Sequence, residues 1–249
     1  MPLHLDARQE TKRVEFLRAV APFTTLTDAD LLTLCRDFKP RAFKKDEMVF
    51  HQGDAGEEIY VVVSGKVRVF RLAASGNETT IDIFSAGKIF GEFAPLDNQD
   101  RSASAQALEA STLLRITKQQ FLAHLRVMPD LALGVIRLII AKARWTTDFA
   151  ESLAQYDAAG RLLHILLHYK DRFGQELEPG KRYRLDLNLT QSDLASLVGV
   201  KRGWINHLLQ EWDKRGLIQY RAGTILILDL PRVLAERDSR IEVTAAANW

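Results

Sequence analysis

The chain has 249 residues, with 34 basic against 32 acidic side chains, a formal net charge of +2 and 47% hydrophobic residues. That mix suits one large or two modest globular domains and excludes a polybasic protein whose whole surface binds phosphate. The single cysteine, Cys35, excludes an internal disulfide and any cysteine-clustered metal or iron–sulfur centre.

The N-terminal ten residues are polar and mixed in charge, with no apolar run, so the expected location is cytoplasmic. Residues 1–40 read as short helices, with Thr27-Asp28-Ala29-Asp30 supplying a cap and an acidic first turn ahead of Leu31, Leu32 and Leu34. After Pro40 the hydrophobic period drops to two. Met48-Val49-Phe50, Ile59-Tyr60-Val61-Val62-Val63, Val67-Arg68-Val69-Phe70 and Thr80-Ile81-Asp82-Ile83-Phe84 are strand-like runs, punctuated by Gly53-Asp54, Ser64-Gly65 and Ser75-Gly76-Asn77. Further strand-like pieces cover 103–108 and 112–116. About seven short strands at this spacing predict an antiparallel sandwich, roll or barrel.

Helical signals return at Thr117, which can cap a helix that Gln120 answers three residues later. From Pro129 to about Tyr156 no proline or turn signal interrupts the pattern. Its stretch 135–143 is broken by Arg137 and Lys142 and is too short to cross a bilayer, so no membrane partner is expected. Ile139, Ala143, Thr146, Ala150 and Leu153 step by four, three, four and three, a 3.5-residue seam. The seam suits a two-stranded coiled coil or packing against the chain's own domain, and a length of about 42 Å favours a homodimer. Asp157-Ala158-Ala159-Gly160 breaks the pattern as a hinge, with Asp157 capping the next helix. Residues 172–184 read as a polar loop, followed by a short strand at 183–187. The predicted domains are therefore 1–128, a helix over 129–156, a C-terminal domain over 157–234, and a tail at 235–249 with no assigned role.

Residues 189–216 form two helical patterns across a tight turn. Thr190 and Asp193 make a capping-box variant, Gly199 ends the first helix, and Lys201-Arg202-Gly203 leads into the second. This is a helix-turn-helix arrangement, and it predicts binding to double-stranded DNA. Lys201, Arg202, Asn206 and His207 lie where base edges would be met, whereas Ile205, Leu208, Leu209 and Trp212 mark a buried face. Strand-like 217–220 and 224–228 form a hairpin wing with Arg221 at its tip. Thr190, Gln191 and Trp204 complete the expected contact set. The alternative is a winged helix used only for protein contacts.

A second informative stretch is Phe90-Gly91-Glu92-Phe93, followed by Arg101-Ser102-Ala103. Glu92 can accept from a sugar hydroxyl, Arg101 can donate twice to a phosphate, and Ser102 adds a neutral donor. Spacing alone fits a structural Glu–Arg ion pair equally well. His164 and His168, four apart on a helix, are too few to hold a metal, and no metal is expected. No catalytic constellation is present, so an enzyme is not expected.

These pieces together resemble the cAMP receptor protein/fumarate-nitrate regulator family of bacterial transcription factors, over roughly residues 23–234. The resemblance rests on Gly53-Asp54 with 59–67, on Phe90-Gly91-Glu92 with Arg101-Ser102-Ala103, and on the Val198-Gly199-Val200-Lys201-Arg202 turn. It implies an α+β fold: an N-terminal antiparallel β-roll like that of cyclic-nucleotide-binding domains (a double-stranded β-helix), a long dimerisation helix and a C-terminal winged helix-turn-helix. By resemblance, Glu92 would accept a ribose hydroxyl, and Arg101 and Ser102 would hold a cyclic phosphate. Gly91, Phe93 and Ala103 would line the cassette, and Thr146 and Thr147 would meet an adenine amine. The implied protein is a homodimeric regulator on a two-fold symmetric operator, controlled by cAMP as allosteric ligand and in contact with RNA polymerase. Alternatives are a response to cyclic di-GMP, cGMP or another effector, ligand-independent binding, or a regulatory protein acting on a protein partner. Departures are Gly203 and Trp204, where the family often has Glu and Thr, so the operator is not carried over.

Overall fold

The structure, a computed structural model, describes residues 7–241, with side chains from residue 10 onward. Within these residues one compact unit comprises 7–72 and 81–144, and a second comprises 73–80 and 145–241.

The first unit opens with α1 (Ala7–Arg18), a 3-10 turn and α2 (Asp28–Asp37). Thr27 caps α2 by accepting from the Asp30 amide at 3.2 Å, as its sequence position predicts. Strands β1 (Lys39–Phe43), β2 (Met48–Phe50), β3 (Glu58–Ser64), β4 (Lys66–Leu72), β5 (Glu78–Ser85) and β6 (Ile89–Phe90) follow. A short helix, α3 (Phe93–Asp97), precedes β7 (Ser104–Ala107) and β8 (Ser111–Thr117). They form two four-stranded sheets, β1-β8-β3-β6 and β2-β7-β4-β5. The roll expected from the period-two pattern is present, with two strands the pattern did not reveal. β1 is exposed at every position but Phe43 and contains a proline, and β6 has only two residues.

Phe43, Tyr60, Val62, Phe84, Phe90, Ala105 and Leu113 pack inside the roll. A second core joins Ile59, Val61, Leu114 and Ile116 on the outer face to Phe23, Leu31, Leu34 and Phe38 from the N-terminal helices. Burying one such side chain contributes about 1.5–3 kcal/mol. Helix α4 (Lys118–Val127) begins with the predicted capping box, in which the Thr117 hydroxyl accepts from Gln120 N and the Gln120 side chain answers.

Helix α5 (Pro129–Gln155) has 27 residues, about 40 Å, and the division between the units falls within it, after Arg144. Leu131 and Val135 anchor its start in the second core, and Ile139 is half-buried against that core. The apolar side chains left exposed are Leu133, Ile136, Ile140 and Leu153. The exposed stripe therefore runs through Ile136 and Ile140 into Ala143, rather than starting from Ile139 as the sequence seam does, because Ile139 is already used by its own unit.

In the second unit Asp157 caps α6 (Ala158–Phe173) by accepting from Gly160 N at 2.7 Å. The short strand expected at 183–187 is present as β10 (Arg182–Asp186), but the loop expected ahead of it holds a hairpin partner, β9 (Gly174–Glu178), which is exposed along most of its length and so carried no apolar alternation. Then come α7 (Gln191–Val198), α8 (Arg202–Lys214), β11 (Ile218–Arg221), β12 (Thr224–Ile227) and α9 (Leu230–Asp238). The sheet order is β11-β12-β10-β9. Leu162, Leu166, Tyr169, Leu194, Ile205, Leu209, Trp212 and Ile225 are buried.

Within the segment set apart above as a tail without a role, residues 235–238 continue α9 and a turn at 239–240 follows, and both bond back into the unit. Glu236 binds Arg215 and Arg240, and Arg240 reaches Asp157 at 3.3 Å. The remainder of that tail, 242–249, lies outside the described residues. No described helix is long and apolar enough to cross a membrane.

Candidate functional site

The first site is built where β6 turns into α3. Gly91 sits at φ +75°, and a Cβ there would lie 2.9 Å from the Arg101 Nη1, so the backbone conformation and the close approach both call for glycine. Arg101 crosses that gap. Its Nη1 donates to Gly91 O and its Nη2 to Glu58 O, each at 2.6 Å, and the guanidinium lies 4.1 Å over the Phe50 ring. The turn at Gly53-Asp54 fixes its backbone: Arg101 N donates to Asp54 O at 2.8 Å, and Gly53 N donates to Arg101 O at 2.9 Å. Burial lowers the Arg101 pKa, opposed by Tyr60, Glu58, Asp54 and Glu92. Burial, followed by the hydrogen bond to Glu58, raises that of Tyr60, keeping the phenol neutral.

Glu92 is 2% exposed and accepts from Lys142 Nζ at 2.7 Å. The same ammonium donates to Ile89 O at 3.2 Å and lies 4.8 Å over the Phe84 ring. Gly91, Glu92 and Arg101 are thus brought together, with the carboxylate and the guanidinium each on a protein partner and not on each other. The structural ion pair that spacing allowed is absent from the hydrogen bonds of both groups. Ala103 is buried beside Arg101, whereas Ser102 and Phe93 are exposed. Thr146 and Thr147 are exposed on α5 and belong to the second unit.

The second site is the face of α7, α8 and the wing. The Thr190 hydroxyl accepts from Asp193 N at 3.1 Å, and the Asp193 carboxylate accepts from Thr190 N at 2.8 Å, as the capping box predicts. Gly199 closes α7 at φ +72°. Helix α8 buries Ile205, Leu208, Leu209 and Trp212, which leaves Lys201, Arg202, Asn206 and His207 in solvent with Trp204 at 39% exposure. Asn206 Oδ1 accepts from Gln191 Nε2 at 3.2 Å, so a residue of the first helix orients one of the second. Thr190, Gln191, Ser192, Arg202 and Tyr220 line one cleft, and Tyr220 is fixed by donating to Leu189 O at 2.9 Å. The amides of the α7 first turn and the Arg202 guanidinium suit a phosphate there. Arg221 is exposed at the wing, where the turn through Ala222 and Gly223 has φ of +46° and +88°.

Three residues of these sites escaped the sequence reading: Lys142, Phe50 and Tyr220. Lys142 did leave a signal, as a charge interrupting an apolar helical run. Among the described residues no group of three or more His, Cys, Asp or Glu is placed to hold a metal.

A β-roll with a Gly-Glu turn under a buried arginine, followed by a long helix and a winged helix-turn-helix, defines a DNA-binding regulator carrying a sensor of the cyclic-nucleotide-binding type. The family model described as a cyclic nucleotide-binding domain matches residues 40–126, and that of the Crp-like helix-turn-helix domain matches residues 160–236. The chain belongs to the cAMP receptor protein/fumarate-nitrate regulator family of transcription regulators. It is 31% identical over 188 residues to the cyclic AMP receptor protein of Thermus thermophilus, covering 76% of this chain and 83% of that one. It is 27% identical over 219 residues to the CRP-like cAMP-activated global transcriptional regulator of Mycobacterium tuberculosis, covering 88% and 97%. Among solved structures, the c-di-GMP responsive global regulator CLP of Xanthomonas campestris superposes with a TM-score of 0.68 at 19% identity, covering 81% and 99%. That likeness is one of fold.

Proposed function

We propose that this regulator binds DNA as a homodimer under the control of cAMP. The observation that carries the reading is the cassette: Gly91, buried Glu92 and buried Arg101 meet at one turn, offering an acceptor for a sugar hydroxyl and a cation for a cyclic phosphate. Two of the five Arg101 donors are used on carbonyls, and the others remain for a phosphate. Ser102 adds a hydroxyl in solvent at the same place. The cAMP assignment is supported by Thr146 and Thr147, which lie beyond Lys142 on the same helix, and by the names of the Thermus and Mycobacterium relatives.

In this reading the ribose hydroxyl takes the place of the Lys142 ammonium on Glu92. A ligand that recruits the long helix then shifts the population toward one helix arrangement. The exposed stripe of Leu133, Ile136 and Ile140 supports pairing of two copies of α5. Asp157 to Gly160 is the hinge through which the heads reach two half-sites about 34 Å apart. Arg202, Lys201, Asn206 and His207 read or position the DNA, Trp204, Thr190 and Gln191 flank them, and Arg221 meets a phosphate. At promoters the dimer would meet RNA polymerase.

Titration calorimetry of the full chain tests the effector. The expected result is saturable heat with cAMP that Arg101→Lys weakens at least tenfold. Absence of heat at millimolar cAMP overturns the assignment, and heat with cyclic di-GMP or cGMP in its place moves it to that ligand.

A further inference from the structure

We propose that the second unit holds a binding site for a small organic cation bearing N–H groups, an ammonium or guanidinium, in the cavity that residues 145–156 of α5 form with α6 and α9. The cavity measures about 360 Å³, within the size range of small-molecule sites. Three features of its walls select the same chemistry, and none belongs to the cassette or the DNA face.

The first feature is aromatic. The His168 ring stacks on Trp145 with centroids 3.7 Å apart, His164 lies parallel to the same indole at 6.1 Å, and Tyr156 follows at 6.1 Å from His164. Indole and phenol faces attract cations through their quadrupoles. The second feature is charge. Asp148 and Glu151, three residues apart on α5, share the wall, and among the described residues neither has a cationic ion-pair partner. Arg237 is paired with Asp238 at 2.6 Å and Asp171 with Lys170 at 2.7 Å, and the lining as a whole holds three carboxylates against one guanidinium. The remaining field is negative, so an anion is disfavoured.

The third feature is a missing hydrogen bond. His164 lines the cavity, and its Nε2 is buried without a partner. Burial, then the nearby Arg237, lowers its pKa, against Asp148 and Glu151, which favours the neutral ring. A neutral imidazole can present Nε2 as an acceptor, which a ligand N–H would satisfy. Leaving a buried polar atom unpaired is costly, so a donor arriving there gains on both counts.

At about 100° per residue, Trp145, Asp148 and Ser152 lie on the side of the helix opposite Ile136, Ala143 and Ala150, so pairing of two α5 helices leaves that wall open, while Glu151 stands at the edge of the stripe, level with Leu133.

The test is calorimetric titration of the full chain with spermidine at constant ionic strength, on wild type, on Asp148→Asn/Glu151→Gln and on Trp145→Phe. The expected result is one saturable site per chain, weakened at least tenfold in the double variant and several-fold in Trp145→Phe. Glu15→Gln, an exposed acid elsewhere, and Arg101→Lys, in the cassette, should leave it unchanged. Circular dichroism checks that each variant folds; both acids are exposed, so folding should survive, and Trp145→Phe gives a second reading if it does not. The proposal is overturned by no saturable binding at millimolar spermidine, by equal weakening in Glu15→Gln, or by uptake of inorganic phosphate that Arg237→Ala abolishes.

Discussion

The cassette and the DNA face use the same kinds of side chain in opposite ways. In the cassette every charge is answered from within the chain: Arg101 by two carbonyls and an aromatic ring, Glu92 by Lys142. On the DNA face Lys201, Arg202 and Arg221 stand in solvent, and among the described residues none has a carboxylate within ion-pair distance. The difference follows from where the partner is. A cation in water needs no protein partner, and a phosphate backbone supplies the attraction and the released counterions when it arrives. A buried guanidinium or carboxylate needs a partner at all times, because an unpaired buried charge costs several kcal/mol. In the proposed function, effector binding is therefore an exchange of partners, whereas DNA binding is an addition. The first should be only weakly sensitive to salt and the second steeply so.

The sharpest way to break this contrast is Lys142→Met. It strands Glu92, and urea unfolding should report a loss of about 3 kcal/mol, most of it recovered in the Glu92→Gln/Lys142→Met double variant. A single variant as stable as wild type would show that the carboxylate does not depend on Lys142. On the open face, Arg202→Ala should weaken operator binding by about 2 kcal/mol, roughly thirtyfold, and flatten the salt slope by about one. Unfolding should be unmoved, and a comparable loss of stability there would erase the distinction between the two regions. Gly223→Ala is expected to cost about 1–2 kcal/mol, since φ is +88° and a Cβ would lie 2.9 Å from Asn188 Cα; thermal unfolding of the variant measures it.

The smallest effect concerns pH. Arg215 first, aided by Arg240 against burial, holds the Glu236 carboxyl below its ordinary value of about 4.5. A depressed carboxyl stabilises the fold above its unfolded pKa and loses that contribution as pH falls through the folded one. Melting curves from pH 7 to 3 should therefore show wild type losing an advantage over Glu236→Gln only below about pH 4.5. Parallel curves throughout would remove the network from the account.

What could be read in advance followed local rules. The capping boxes at Thr117 and Thr190, the Asp157 cap and the Gly199 terminus depend on residues three or four apart, and each is found as predicted. The buried and exposed sides of α8 were legible for the same reason, since one helical period separates them. The strands β1, β6 and β9 were not, because exposure or brevity removed the alternation that marks a strand. Nor was the Glu92–Lys142 pair, whose members are 50 residues apart and meet only through packing. Periodicity left open whether the α5 seam meets its own domain or a second copy, because it does not tell which side of a helix its own domain has claimed; Ile139 packs on its own unit.

The central claim, that the cassette controls the DNA face, is tested most directly by fluorescence anisotropy. The full chain is titrated onto an operator fragment selected from genomic DNA, with and without cAMP, at two salt concentrations. The account predicts at least tenfold tighter binding with cAMP, lost in Arg101→Lys, and a steep salt slope in both conditions. Identical binding curves with and without cAMP would contradict it.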